Sequence, residues 1–529
     1  MMAASTFDPV GAWRAFARAA QPDVEHWLAQ LDAPEQAQSR RLMELLAANR
    51  ETAFGRHHGF ADIASPEQFR ERVPMQGAAG YLPWLERASR DTQPVLTAQA
   101  PLFFERTSGS TARQKLIPYT PAFLREMQSA MVVWLADMVR LCPEIALGRA
   151  YWSMSPALQP AGVAPNGIRI GSASDLEYLG GSSAAALAAT LLVPPFSGNP
   201  ATWRYETLRA LIADDSLALL SVWSPTFLAS VLRPLFSPED ASSARELAAL
   251  EAELPGPRAA ALRGALADGH CGRLWPRLAA ISCWLDGPSR GYAQALRERF
   301  PQARWLPKGL FATEGVVSIP FGEAPDCTLA VGSHYLEFLR DDGRICDVSA
   351  LVPGDKAQVL MTTGAGLYRY ALGDRIRITG MTGRTPRVTF LGRAAASCDL
   401  VGEKLDEGAV GEALAPARAR GATACLVPSP QADAPHYVLL LAGSGEHSVE
   451  ALRNEVEQRL GHIFHYAQAR RLGQLGPLRA RLIPGTQAAL GDLLQRAAER
   501  TGMRAGDVKP SGLVTRLPLA EAMLAISAA

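Results

Sequence analysis

The sequence predicts an α/β protein of at least two domains. Three observations carry that reading. The chain has 529 residues, and a single hydrophobic core rarely grows past about 250–300 residues. Short apolar runs alternate with helical segments between about 150 and 340, the pattern of strands joined by crossover helices in a largely parallel sheet. A β-rich stretch over 355–395 then gives way, past Gly402, to a segment of different character. The boundary is placed at 395–402, giving a large domain over 1–398 and a smaller one over 399–529.

Residues 1–50 read as helical, with apolar positions at helical spacing around Trp13–Phe16 and Leu42–Leu46. The run Asn49–Thr52 and the Gly55–Gly59 stretch break that pattern. Thr120 and Pro121 start a further helix: Thr caps, Pro fills the first turn, and Phe123, Met127, Met131 and Trp134 supply an apolar stripe. Leu217–Trp223 reads as a buried strand, Pro225 onward as a helix, Leu278–Leu285 as a strand and Tyr292–Phe300 as a helix. The Ala-rich segment 239–268 reads as an exposed amphipathic excursion. Lys356–Thr362, Arg375–Thr379 and Arg387–Leu391 read as strands. In the last domain His436–Ala442 reads as a strand, and Ser448–Leu460 and Ala488–Arg500 as helices.

Composition narrows the function. Net charge is +1, so no electrostatic footprint for nucleic acid or an anionic membrane is present. The seven cysteines are scattered, with no C-x-x-C pair, which favours reduced thiols in a cytoplasm over a disulfide framework or a zinc site. Ala184–Val193 is too short to span a bilayer, and Leu217–Leu232 is interrupted by Ser221, Ser224 and Pro225. A soluble protein is the expectation.

The run from Arg106 to Lys115 holds Thr107, Ser108, Gly109, Ser110 and Thr111 consecutively. Such a loop lacks side-chain bulk, so its N–H groups and hydroxyls can close on phosphate oxygens while Lys115 adds a point charge. It is no Walker loop, because Gln114 and Leu116 flank the lysine. Gly364-Ala365-Gly366 is no dinucleotide fingerprint, because Arg369 stands where the third glycine belongs.

Four further segments follow in order: Ala312-Thr313-Glu314-Gly315, Tyr368-Arg369-Tyr370-Ala371-Leu372-Gly373-Asp374-Arg375, Phe390-Leu391-Gly392-Arg393, and Asp399 to Leu405 with its Gly402-Glu403-Lys404-Leu405. With the Ser/Thr/Gly loop and the late Phe464-His465-Tyr466…Gly473-Gln474-Leu475-Gly476-Pro477, this order resembles the adenylate-forming superfamily. Within it, the chain is similar to the acyl-acid amido synthetases, the plant auxin- and jasmonate-conjugating enzymes and their bacterial relatives.

The resemblance implies a large adenylate-forming domain of mixed sheets and a smaller, mobile α+β C-terminal domain. It implies ATP and Mg²⁺, and transfer of an activated acyl group to an amine, with an amino acid as the expected acceptor. Ser108, Gly109, Ser110 and Thr111 would hold phosphates with Lys115. Thr313 and Glu314 would sit by the α-phosphate, with Glu314 a ligand of the hard cation. Asp374 would accept from both ribose hydroxyls, as an acceptor-only carboxylate suits two O–H donors. Arg393 would support ribose or phosphates, and Tyr370 would lie by the adenine. Lys509 in Asp507-Val508-Lys509-Pro510 would reach the forming acyl phosphate. Tyr151, Trp152 and Trp223 are candidates for the acid pocket. Ala394–Ala396 replace the acidic hinge of many superfamily members, so no hinge role is carried over.

Alternatives remain open at this point. A carboxylate:CoA ligase or a carrier-loading adenylation enzyme shares the first half-reaction, and a catalytically silent adenylate binder shares the ATP motifs. Gly287-Pro288-Ser289-Arg290-Gly291 matches the nucleophile elbow of a serine hydrolase, with Asp374 and His436 following in hydrolase order. His462 and His465 at helical spacing are a weak metal pair without a third ligand.

Overall fold

A computed structural model describes residues 8–107, 115–152, 162–172, 181–194, 200–393, 397–401, 403–430, 435–443, 449–503 and 508–528. The chain divides into two compact units. The first gathers Met1–Arg149, Ala157–Leu191 and Pro307–Phe390; the second gathers Ala150–Pro156, Leu192–Leu306 and Leu391–Ala529.

In the first unit, helices Pro9–Leu31 and Pro34–Asn49 account for the helical N-terminus. Helix Pro121–Leu141 begins as its sequence directs: Thr120 Oγ1 accepts from the Phe123 N–H at 3.1 Å. Phe123, Met127, Met131 and Trp134 are all buried. A seven-stranded sheet runs in the order Ser318–Pro320, Cys327–Leu329, Thr385–Arg393, Leu367–Thr382, Lys356–Thr363, Tyr335–Arg340, Ile345–Cys346. Tyr335–Arg340 pairs antiparallel with Lys356–Thr363, and so does Leu367–Thr382. The parallel pattern expected up to about 340 therefore stops earlier, because the strands from Ser318 onward join this antiparallel sheet.

Strands Phe103–Arg106 and Leu116–Tyr119 form a hairpin within a smaller four-stranded sheet. The Ser/Thr/Gly run is thus the connection of a hairpin, and a strand intervenes before the next helix. Its residues Ser108, Gly109, Ser110 and Thr111 lie outside the described residues; Thr107 and Lys115 flank them.

In the second unit, Leu217–Ser221, Ala280–Ser282 and Arg304–Leu306 pair in parallel, as the strand–helix alternation predicts. Segment 239–268 forms helices Ala241–Glu253 and Gly256–Asp268. It is less exposed than expected, since Leu250 and Leu262 reach the core with Leu217 and Trp275.

The strands Thr423–Ser429, His436–Ala442 and Arg479–Ile483 form a further sheet. Successive side chains on a strand point to opposite faces, and here both faces are buried. Leu426, Leu439 and Leu441 pack with Leu452, Val456 and Tyr466, whereas Val427, Val438 and Leu440 pack with Leu490, Leu494 and Tyr292. Two-sided burial explains why His436–Ala442 reads as a nearly continuous apolar run. Tyr292 belongs to helix Arg290–Arg297, so this sheet shares a core with the segment carrying the elbow-like motif. Gly291 has a packing reason: a Cβ there would stand 2.8 Å from Thr423 Cγ2. Ser289 ends a 3₁₀ turn and is buried.

Candidate active site

The first unit brings three of the sequence candidates into direct contact. Lys115 Nζ lies 3.0 Å from Glu314 Oε1 and donates to Tyr370 Oη at 2.6 Å. The Tyr370 hydroxyl in turn donates to Glu314 Oε1 at 3.3 Å. Glu314 and Tyr370 are buried. A cation, a carboxylate and a phenol are therefore held together with little water to screen them.

Each member is placed by a distinct device. Lys115 leaves the loop end of the hairpin, where the Thr107 N–H donates to the Lys115 carbonyl at 3.1 Å. Thr313 and Glu314 are the two-residue tip of a second hairpin, between Phe311–Ala312 and Gly315–Val316. The Tyr119 hydroxyl donates to the Thr313 carbonyl at 2.9 Å and ties the two hairpins together. Gly315 is required by close approach, since a Cβ would lie 2.8 Å from His334 Nε2.

Behind this tip runs a buried relay that sequence reasoning missed. The Val316 N–H donates to His334 Nε2 at 2.9 Å. Nε2 is therefore an acceptor, and Nδ1 carries the ring proton that it donates to Glu126 Oε2 at 2.6 Å. Glu126 also accepts from the Gly364 N–H at 2.9 Å and from Arg41. No local signal marks His334 or Glu126, because their partners are 18 to 238 residues away in sequence.

The Tyr-Arg-Tyr-Ala-Leu-Gly-Asp motif does not precede a strand; it lies within Leu367–Thr382 as two bulges. Thr363 pairs with Leu367 and Met361 with Tyr370, so Tyr368 and Arg369 together face Thr362. Gln358 pairs with Arg375 and Leu360 with Ala371, so Leu372, Gly373 and Asp374 face Val359. Bulges bend a strand and re-aim its side chains, and these two set Tyr370 and Asp374. Gly373 takes φ 85°, which glycine adopts without steric cost, and Asp374 is buried.

Arg369 takes φ 50° although it is not glycine. Such backbone persists only where its surroundings over-determine it. Its Nε donates to Glu337 at 2.9 Å and its Nη1 to the carbonyls of Arg70 and Val73 at 3.0 and 2.8 Å. Its own N–H donates to Thr362 Oγ1 at 2.9 Å. Burial pushes the Glu337 carboxyl above its ordinary range, opposed by Arg369 and Arg70. Tyr368 is equally structural, its N–H donating to Tyr81 Oη at 2.7 Å and its hydroxyl to the Leu96 carbonyl at 2.8 Å.

The second unit holds the remaining candidates. The Arg393 N–H donates to Glu407 Oε2 at 3.2 Å, and the Ser511 hydroxyl donates to Glu407 Oε1 at 2.7 Å. One buried carboxylate thus joins the Gly-Arg segment to the stretch carrying Lys509. Lys509 is exposed, with Nζ 5.6 Å from the Trp284 ring centroid. Glu403 of the Gly-Glu-Lys-Leu segment accepts from the N–H groups of Leu400 and Val401 at 2.7 and 2.8 Å and from Tyr437. Tyr151 and Trp152 are buried, Tyr151 within the hydrophobic core; Trp223 is half-buried, its ring 6.0 Å from that of Trp284. His462 lies in a turn after helix Val449–Leu460, and His465 lies in helix Phe464–Arg471, so the two do not share a helix face. Among the described residues no group of three or more His, Cys, Asp or Glu is placed to hold a metal ion, and no helix is long and apolar enough to cross a membrane.

Comparison with known proteins agrees with this architecture. Residues 25–241 match the GH3 family N-terminal domain and residues 327–393 the GH3 family central domain. A probable indole-3-acetic acid-amido synthetase of Oryza sativa subsp. japonica is 24% identical over 533 residues, covering 84% of this chain and 86% of that protein. A human GH3 domain-containing protein is 28% identical over 255 residues, covering 43% of this chain and 48% of that one. The solved GH3.15 acyl acid amido synthetase in complex with 2,4-DB superposes with a TM-score of 0.78 at 18% identity, covering 96% of each chain. A 2-hydroxyisobutyryl-CoA ligase in a postadenylation state superposes with a TM-score of 0.52 at 13% identity, covering 92% of this chain and 91% of that one. With its N-terminal and central domains both matched and its fold shared along nearly its whole length, the chain belongs to the GH3 family, the acyl-acid amido synthetases of the adenylate-forming fold.

Proposed function

We propose that this protein joins a carboxylic acid to an amine, using ATP to make the acyl-adenylate and releasing first pyrophosphate and then AMP. The observation that carries this reading is the contact of Lys115 with the buried Glu314 and Tyr370, Lys115 being the lysine that closes the Ser/Thr/Gly segment in sequence. Adenylation has little covalent chemistry for a protein to perform; the obstacle is charge on phosphoryl oxygens, which fixed donors and cations offset.

The residues fit such a ligand. Thr107 Oγ1, at the mouth of the run, is buried without a partner among the described residues. It and Lys115 are assigned to phosphate oxygens. Glu314 is assigned as the carboxylate for Mg²⁺, which would neutralise phosphate charge when bound. Asp374 is assigned to the ribose hydroxyls, Arg393 to ribose or phosphate, and Lys509 to the acyl phosphate. The acid pocket is assigned to the side of Trp223. An amino acid is the proposed acceptor; the names of the family relatives give the amide and the acid side alone. Amine attack needs the neutral amine, so the second step should quicken toward mildly alkaline pH.

The test is carboxylate-dependent ATP–pyrophosphate exchange across aryl, indolyl and aliphatic acids. Exchange with at least one acid is expected, and Asp374→Ala should raise the KM for ATP by the equivalent of about 2–4 kcal/mol, two hydrogen bonds to a charged group. No exchange with folded protein and Mg²⁺, or an unchanged KM, would refute the reading. Product analysis with amine and CoA acceptors separates amide synthesis from thioester formation, the reading favoured by the CoA ligase fold likeness.

A further inference from the structure

Within the second unit, helix Ala489–Arg500 packs against helix Pro225–Val231. Beside that contact lies a cavity of about 180 Å³. Arg204, Arg233, Glu246, Asp492, Gln495 and Arg496 line it. None of these residues belongs to the machinery assigned above.

The cavity collects unspent hydrogen-bonding capacity. Gln495 is 5% exposed, yet neither its amide oxygen nor its amide nitrogen has a partner among the described residues. Arg204 donates to Glu246 through one nitrogen only. Arg204 Nη1 and Glu246 Oε2, the second prong of each partner, are buried and unpartnered. Buried polar atoms in folded proteins nearly always have partners, because a bare one costs more than a hydrogen bond returns. Two donor groups and two acceptors are therefore waiting for one occupant.

Charge restricts what that occupant can be. Guanidinium groups of Arg204, Arg233 and Arg496 stand among the carboxylates of Glu246 and Asp492. Arg233 is engaged by Asp240 at 2.8 Å. Burial pushes the Asp492 carboxyl upward, while Arg233 and Arg496 pull it down. A simple anion meets Glu246 and Asp492, and a simple cation meets the arginines. A molecule bearing both signs within a few ångströms satisfies both sets. The lining is polar except for Pro234, so the molecule needs no apolar side chain.

We propose that this cavity binds a free amino acid with a small or polar side chain, its carboxylate on Arg204 and the Gln495 amide N–H, its ammonium on Glu246 and the Gln495 carbonyl. The site goes beyond the proposed reaction and does not depend on it. It would let the abundance of an amino acid stabilise the packing of helix Ala489–Arg500.

Titration calorimetry of the full chain with L-serine, glycine and L-asparagine tests the proposal. Saturable binding is expected, and Gln495→Leu should weaken it by about tenfold or more, the loss of two hydrogen bonds. Carboxylate-dependent pyrophosphate exchange, which needs no amine, should be unchanged in that variant. Serine amide and N-acetylserine, each lacking one charge, should bind weakly. Hydrogen exchange on the unmodified chain provides a readout independent of the variant's folding: L-serine should protect amides near 242–246 and 492–499. The proposal is overturned if no amino acid binds, which would leave the cavity to water. It is also overturned if binding survives Gln495→Leu, which would place it at the acceptor site, or if protection appears elsewhere and not at these helices. Loss of pyrophosphate exchange in the unmodified chain would instead refute the adenylation reading and leave this one standing.

Discussion

Two lysines, one in each unit, stand in different surroundings. Lys115 is fixed by a carboxylate and a phenol at 3.0 and 2.6 Å, with its side chain only 11% exposed. Lys509 is exposed and rests over the face of Trp284. A cation over an aromatic ring at an exposed site gains about 0.5–1 kcal/mol from that ring. The first lysine is therefore part of a preorganised cluster, and the second stands where solvent reaches it. Preorganised charge stabilises a reacting group without reorganisation. The difference extends to the scaffolds. The Lys115 cluster is backed by the His334–Glu126 relay and the Arg369–Glu337 pair, whereas the Lys509 stretch is tied down by Ser511 on Glu407.

The largest effect should come from breaking the scaffold of the first cluster. Glu337→Ala would leave Arg369 and Arg70 without their buried carboxylate, at a cost of about 3–5 kcal/mol. The denaturant midpoint should fall accordingly; a midpoint unchanged within error would mean the Arg369 conformation is held by its carbonyl contacts alone. Next comes Lys509→Ala, expected to slow adenylation by on the order of 10²–10³, the scale for removing one stabiliser of developing charge. Its stability should be nearly unaffected. Slowing confined to amide formation would assign Lys509 to the second step and narrow the contrast between the two lysines.

The smallest effect is a difference in thiol reactivity. Burial pushes the thiols of Cys271 and Cys425 in the second unit up to about 12. Cys346 in the first unit is half-buried and carries a hydrogen bond from Arg340. The thiolate is the reactive form, so iodoacetamide near pH 8 should modify Cys346 first in the native protein and leave Cys271 and Cys425 unlabelled until unfolding. Early labelling of Cys425 would show that the sheet Thr423–Ser429 opens in solution.

Much of the fold was legible in the sequence, because its signals are local. The Thr120–Pro121 cap, the apolar stripe after it and the run His436–Ala442 each depend on residues a few positions apart. The helices Ala241–Glu253 and Gly256–Asp268 are legible as helices but not in their burial, because their composition does not show what covers Leu250 and Leu262. In the candidate site, Lys115, Glu314 and Tyr370 were all picked out by motif. Their mutual contact was not, and neither were His334, Glu126, Glu337 or Glu407.

By itself the sequence determined most of the kinds of elements and their order, and it singled out the residues proposed for phosphate and ribose. The tertiary structure alone decided that Tyr368 to Asp374 form two bulges, since a bulge is defined by the partner strand and not by the strand that carries it. It also decided that helix Arg290–Arg297 and the sheet of the last third of the chain share one core. Both are long-range choices, made by which surfaces can exclude water together, and no window along the chain contains both sides of them.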